Sequence, residues 1–153
     1  DPDGADADLY HRTLAHAQVK GVATAPATAI AKFHRVNDLL AEGVGNRARR
    51  FSNALHVLES TNPLSASGRG TGGGFLVQVV IDDITDIAPA ITRSVQTITH
   101  FGCGRGDLER LAAAISGRGG YRIVPVGQAL QFGEVWDGLP LLEIMTRRIV
   151  VVP

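Results

Sequence analysis

Cys103 is the only cysteine of the chain. It stands in Gly102-Cys103-Gly104-Arg105-Gly106, after a β-branched run and ahead of a helical pattern. A thiolate there would be favoured by the positive end of a helix dipole and by Arg105, which is the setting of a nucleophile. The alternative is a small buried hydrophobe, because spacing places no histidine or carboxylate beside it. His100 is close in sequence, but on a strand the two side chains would point to opposite faces. His11, His16, His34 and His56 show no HExxH or paired-ligand spacing, so no metal is expected. Asp82-Asp83 reads as a helix cap before it reads as an acid/base pair. Asp137, in Trp136-Asp137-Gly138, is first a turn residue and only then a catalytic candidate.

Two further stretches carry polar or flexible chemistry. Arg47, Arg49 and Arg50 could gather a phosphate, although arginines at this density are also the ordinary solvated face of an amphipathic helix. Gly70-Thr71-Gly72-Gly73-Gly74 invites a phosphate-loop reading. Such a loop follows a strand and opens a helix, whereas these glycines precede the apolar run Phe75-Leu76-Val77-Gln78-Val79-Val80-Ile81, so a lead-in loop is expected instead.

The elements that would position these residues follow from periodicity. Residues 5–20 fit a modest amphipathic helix carrying Leu9, Leu14 and Val19, and residues 24–40 fit a better one. In the second, Pro26 sits in the first turn and Ile30, Phe33, Val36 or Asn37 and Leu40 share a face, with Gly43 and Gly45 as breakers. Residues 46–59 place Phe51, Leu55 and Leu58 at helical spacing. Residues 60–74 are rich in Ser and Gly and read as a loop. Beyond them the pattern alternates: a strand at 75–81 and a short acidic-capped helix at 82–90, then a strand at 94–101. A helix at 107–116, with Asp107 as N-cap and Leu108, Leu111, Ala112 and Ile115 on one face, is followed by strands at 121–126 and 149–152. Trp136, the one tryptophan, needs apolar cover and a partner for its indole N–H.

With 153 residues and 44% hydrophobic content the chain is long enough for a real core,. Fifteen basic residues balance fifteen acidic ones, so charge offers no argument for nucleic acid or an anionic membrane surface. One cysteine excludes an internal disulfide framework and suits a reducing compartment, with cytoplasm as the default. No run approaches the ~20 apolar residues of a membrane span, and the acidic start DPDGADADLYHR is no signal peptide. The absence of an initiator Met at position 1 points to a trimmed or excised piece.

The order GRGG-YRIVPVGQALQF, then VWDG, then LLEIMTR, over residues 117–147, resembles the C-terminal end of the long-chain acyl-CoA reductases of the bacterial luminescence type, relatives of aldehyde dehydrogenases. Gly73-Gly74-Phe75-Leu76-Val77, Ile98-Thr99-His100-Phe101-Gly102 and the 107–115 helix agree with it, so the resemblance extends over about residues 8–148. It implies NADPH-dependent reduction of an acyl thioester to an aldehyde, through an acylated cysteine that receives hydride at its carbonyl. In that family the nucleophilic cysteine and the nucleotide-binding units lie upstream of the matching stretch, and Cys103 falls where the family has an ordinary strand-end residue. Arg122, Gly127, Gln128, Trp136, Asp137 and Gly138 match the distinctive portion. By resemblance they shape the core and the wall beside the acyl channel, with Gln128, Trp136 and Asp137 as the substrate-side candidates.

The expected fold is therefore α/β, with a helical segment at 1–59, a Gly/Ser-rich loop at 60–74 and an α/β unit at 75–153 that forms one domain with 1–59. The alternation of strand and helix makes it an open, mostly parallel sheet with crossover helices, and the resemblance likens it to the aldehyde-dehydrogenase catalytic subdomain. The expected activity is that of a reductase portion, inactive alone, completed by the rest of its chain or other subunits and assembling as a homo-oligomer. A stand-alone α/β binding or assembly module, and an independent cysteine enzyme built on Cys103, are the alternatives.

Overall fold

The computed structural model describes residues 8–9, 11–16, 25–66, 68, 72–136, 138–147 and 149–152. They fall into two compact units, Asp1–Ile81 and Asp82–Pro153.

In the first unit, residues 8–9 and 11–16 are helical, and helix α1 runs over Pro26–Ala41. Pro26 suits a first turn because its missing N–H would have had no partner there. The helix ends in a Schellman motif: Gly43, at φ 73°, bonds back to the Leu40 carbonyl at 3.1 Å, and Val44 to that of Leu39 at 2.9 Å,. Val44 then packs with Leu39 in the core. The buried stripe is Lys32, Val36 and Leu39. Ile30 and Phe33, expected on the inner face, are 58% and 55% exposed.

Residues 46–59 correct the sequence reading. Instead of a helix they form strand β1 (Arg47–Arg50) and strand β2 (His56–Ser60), paired antiparallel from Arg47 opposite Glu59 to Arg50 opposite His56. Strand β3 (Phe75–Val79) lies parallel on the other side of β2, His56 opposite Phe75. Phe51 and Leu55 lie in the turn between β1 and β2 and only Leu58 lies in a strand, so their helical spacing is a coincidence,. Leu55 through Leu58 are all buried. Leu58 and Phe75 close on Val36 and Leu39 of α1 from one face, while Val57 and Leu55 meet Phe51 and Leu14 in a separate cluster. Between β2 and β3 lies the short helix α2 (Pro63–Ala66).

The second unit opens on a capping box. The Asp83 side chain accepts from Thr85 N at 2.8 Å and the Asp86 side chain accepts from Asp83 N at 3.0 Å, starting the 3-10 helix Ile84–Ala90,. The expected cap at Asp82-Asp83 is thus present. Strand β4 (Thr97–His100) and strand β5 (Arg122–Pro125) pair in parallel, with helix α3 (Arg105–Ile115) between them in sequence. Gly104 is the N-cap of α3. Asp107, expected there, sits in the first turn and accepts from Arg110 at 2.8 Å, where its charge still complements the helix dipole. Ala88, Leu111 and Ile115 form the core with Ile84, Ile87, Ile98 and Ile123 packed on it. A two-residue pair, β6 (Val135–Trp136) and β7 (Leu139–Pro140), leads into helix α4 (Leu141–Met145).

The chain is α/β, with small sheets of order β1-β2-β3, β4-β5 and β6-β7. The expected single open sheet is divided, because β3 pairs with β2 and not with β4. Residues 149–152 are not in a strand, and Ile149 is 89% exposed. The helical character expected of 1–59 gives way to strand from Arg47 onward. No helix among the described residues is long and apolar enough to cross a membrane.

Candidate functional site

The stretch after β5 is organised by Arg122. Its guanidinium donates to the Ala129 carbonyl at 3.2 Å and the Gln131 carbonyl at 2.8 Å, and its Cζ lies 5.1 Å from the centre of the Trp136 ring. A planar fork can hold two carbonyls and keep its face for an aromatic, which an ammonium cannot do. Phe132 stacks on the other aromatic at 5.6 Å and 28°. Gln128, at the turn Pro125–Gln128 closed by a 3.0 Å backbone bond, is exposed. Arg122, Gln128 and Trp136 are therefore parts of one clamped loop, with Trp136 half-buried in it. Asp137 lies outside the described residues. Gly138, at φ 79°, packs so closely on the Tyr121 ring that a Cβ would come within 2.8 Å of it, so the turn and the start of β5 need that glycine. Beside the loop an open cavity of about 440 Å³ is lined by Phe132, Leu141, Leu142 and Met145 with Glu134.

Cys103 is half-buried just ahead of the N-cap of α3, and its thiol makes only a long contact, 3.9 Å, to the Phe101 carbonyl. Arg105, expected to support a thiolate, instead donates from Nε to Glu109 at 2.7 Å. His100 ends β4 opposite Pro125, and its Nδ1 is buried without a hydrogen-bond partner. No hydrogen bond links the imidazole to Cys103 among the described residues, so they form no nucleophile–base pair.

A second site, which spacing did not reveal, lies in the first unit. Lys32 is 1% exposed. Its ammonium donates to the carbonyls of Asn53 at 2.5 Å, Gly73 at 2.6 Å and Ala54 at 3.1 Å. Three acceptors match the three ammonium protons, so the group is fully engaged. Burial pulls its pKa below the ordinary lysine value, since a low-dielectric site disfavours the charge. His56, 4% exposed, has an unpartnered Nε2. Burial, then the positive charges of Lys32 and Arg50, push its pKa down, partly offset by a hydrogen bond to the Ser52 backbone. Arg50 stands directly across the ladder from His56 and donates to the Asn53 side chain at 2.5 Å. Of the other two arginines on β1, Arg49 is paired with Glu59. Arg49 and Arg50 line one small cavity with His56, each engaged by a different partner, Glu59 and Asn53. A lysine on the helix stripe was the only local sign of this site; its acceptors lie 21, 22 and 41 residues away.

Among the described residues no group of three His, Cys, Asp or Glu side chains could hold a metal ion. Comparison with protein-family models, with curated proteins and with solved structures found no match.

Proposed function

We propose that this chain is the C-terminal portion of an NADPH-dependent acyl-thioester reductase of the aldehyde-dehydrogenase superfamily, the reduction yielding an aldehyde. The observation that supports this reading is the Arg122 clamp. The residues carrying the resemblance, Arg122 and Trp136 with the loop around Gln128, make one physical unit held by two carbonyl bonds and a cation–π contact. A shaped loop of this kind beside an apolar cavity is the sort of wall an acyl chain requires. The parallel pair β4-β5 with α3 between them is compatible with a piece of an aldehyde-dehydrogenase-like sheet.

The nucleotide does not fit the described residues. Gly72, Gly73 and Gly74 lead into β3, and a pyrophosphate cradle needs glycines that leave a strand and open a helix. On this reading NADPH and the acylated cysteine belong to another part of the polypeptide, and Cys103 has no catalytic role. The alternative, a non-catalytic binding or assembly module, draws on the exposed apolar side chains at Phe132, Leu142, Met145 and residues 149–152.

The intact mass of the native polypeptide tests this first. A mass well above 16.2 kDa, together with acyl-CoA-dependent oxidation of NADPH that falls in Arg122→Ala, is expected. A native mass near 16.2 kDa would overturn the reading and leave the module.

A further inference from the structure

The groove between α1 and β1 is a built site that the reductase reading does not use. One cavity of about 310 Å³ is lined by Pro26, Ile30, Phe33, Arg50, Asn53 and His56 among others. A second, of about 200 Å³, shares Phe33, Arg50 and His56 with it. Ile30 and Phe33 are more than half exposed on the groove wall, so they offer apolar surface to a bound molecule. No carboxylate lines either cavity among the described residues. Arg50 instead has the neutral Asn53 side chain as its partner, and His56 adds a buried nitrogen without one.

The geometry points to a binding site for a small organic carboxylate with a flat apolar body: the carboxylate on the Arg50 guanidinium, the body against Phe33 and Ile30. The choice of charge follows from the donors. Lys32 has spent its three protons on the Asn53, Ala54 and Gly73 carbonyls, so it contributes a positive field and no direct bond. Two arginines line the groove, and Arg49 is already paired with Glu59, so Arg50 is the guanidinium offered to a ligand: it matches one negative charge, in the planar geometry that a carboxylate shares. The apolar wall favours an organic body over a bare inorganic anion, because only an organic body gains by covering Phe33 and Ile30.

Benzoate is the probe, titrated into the 153-residue chain and followed by calorimetry and by NMR shifts of the 47–56 backbone. Benzyl alcohol, with the ring and no charge, and acetate, with the charge and no ring, are the controls. Benzoate is expected to bind at about 10 mM or tighter, and each control at least tenfold more weakly. Arg50→Gln and Phe33→Ala, both at exposed side chains, should each weaken benzoate at least tenfold with an unchanged circular-dichroism spectrum. Equal binding of acetate would reduce the site to a charge effect, and equal binding of benzyl alcohol to an apolar one; either overturns the proposal. So does benzoate that fails to bind, or binds Arg50→Gln as it binds the parent. None of these outcomes bears on the mass or activity test of the reductase reading.

Discussion

The Lys32 ammonium sits 2.6 Å from the Gly73 carbonyl, tying the middle of α1 to the lead-in of β3 across 41 residues. The same nitrogen holds the carbonyls of Asn53 and Ala54 in the β1-β2 turn. A single side chain thus joins three segments that share no local sequence relation. Gly74 makes this approach possible: it is at φ 82°, and a Cβ there would collide with the Ala54 carbonyl.

Replacing Lys32 by Met keeps an unbranched chain one atom shorter and removes all three donors. Buried carbonyls left without a partner are expensive, so the variant should lose about 3 kcal/mol in urea unfolding. A loss under ~1 kcal/mol would mean that the carbonyls find other partners.

His56 makes the first unit acid-sensitive. Its folded pKa lies below the ordinary imidazole value of 6.5, so as pH drops past that value the unfolded chain takes up the proton first. Stability is therefore unaffected by this group above pH 6.5, falls below it, and levels off once the folded ring protonates as well. Urea midpoints measured from neutral pH down into the acid range should show the fall, and His56→Gln should flatten it. An unchanged slope in that variant would assign the effect to another group.

Asp83 acts in a lower window and in the other unit. Hydrogen bonds from Arg110 and Thr85 hold its carboxyl well below the ordinary value of 3.8. Its contribution is present above that value and disappears as pH falls through the folded pKa. Asp83→Asn should lower the melting temperature at neutral pH and leave little difference from the parent at strongly acid pH. A constant difference at every pH would indicate that the cap geometry, and not the charge, matters.

Arg122 can be read out through Trp136, since the chain has no other tryptophan. Arg122→Ala should shift the emission to longer wavelength and raise quenching by acrylamide, as the ring loses its cover. Arg122→Lys should not restore the parent spectrum, because one ammonium cannot bond the Ala129 and Gln131 carbonyls and also lie flat on the indole. Full recovery in the lysine variant would show that charge alone suffices.

What the sequence determined by itself was local. Pro26 and Gly43 marked the ends of α1, Asp83 the cap of the 3-10 helix, and the apolar run at 75–81 a strand, of which Phe75–Val79 forms one, because each depends on contacts within a turn or a few residues. The clamped loop could be seen in part, as the tryptophan and the turn glycine announce a constrained corner, while the two carbonyls that Arg122 reaches do not. Tertiary structure decided the rest. Residues 46–59 became two strands because β2 gains partners on both edges, β1 and the distant β3. With β2 packed on Val36 and Leu39, α1 turned Lys32 inward and left Ile30 and Phe33 outside. Helical periodicity marks one side of a cylinder, but which arc is buried depends on where the sheet lands. That is set by pairings tens of residues apart, which no local spacing records.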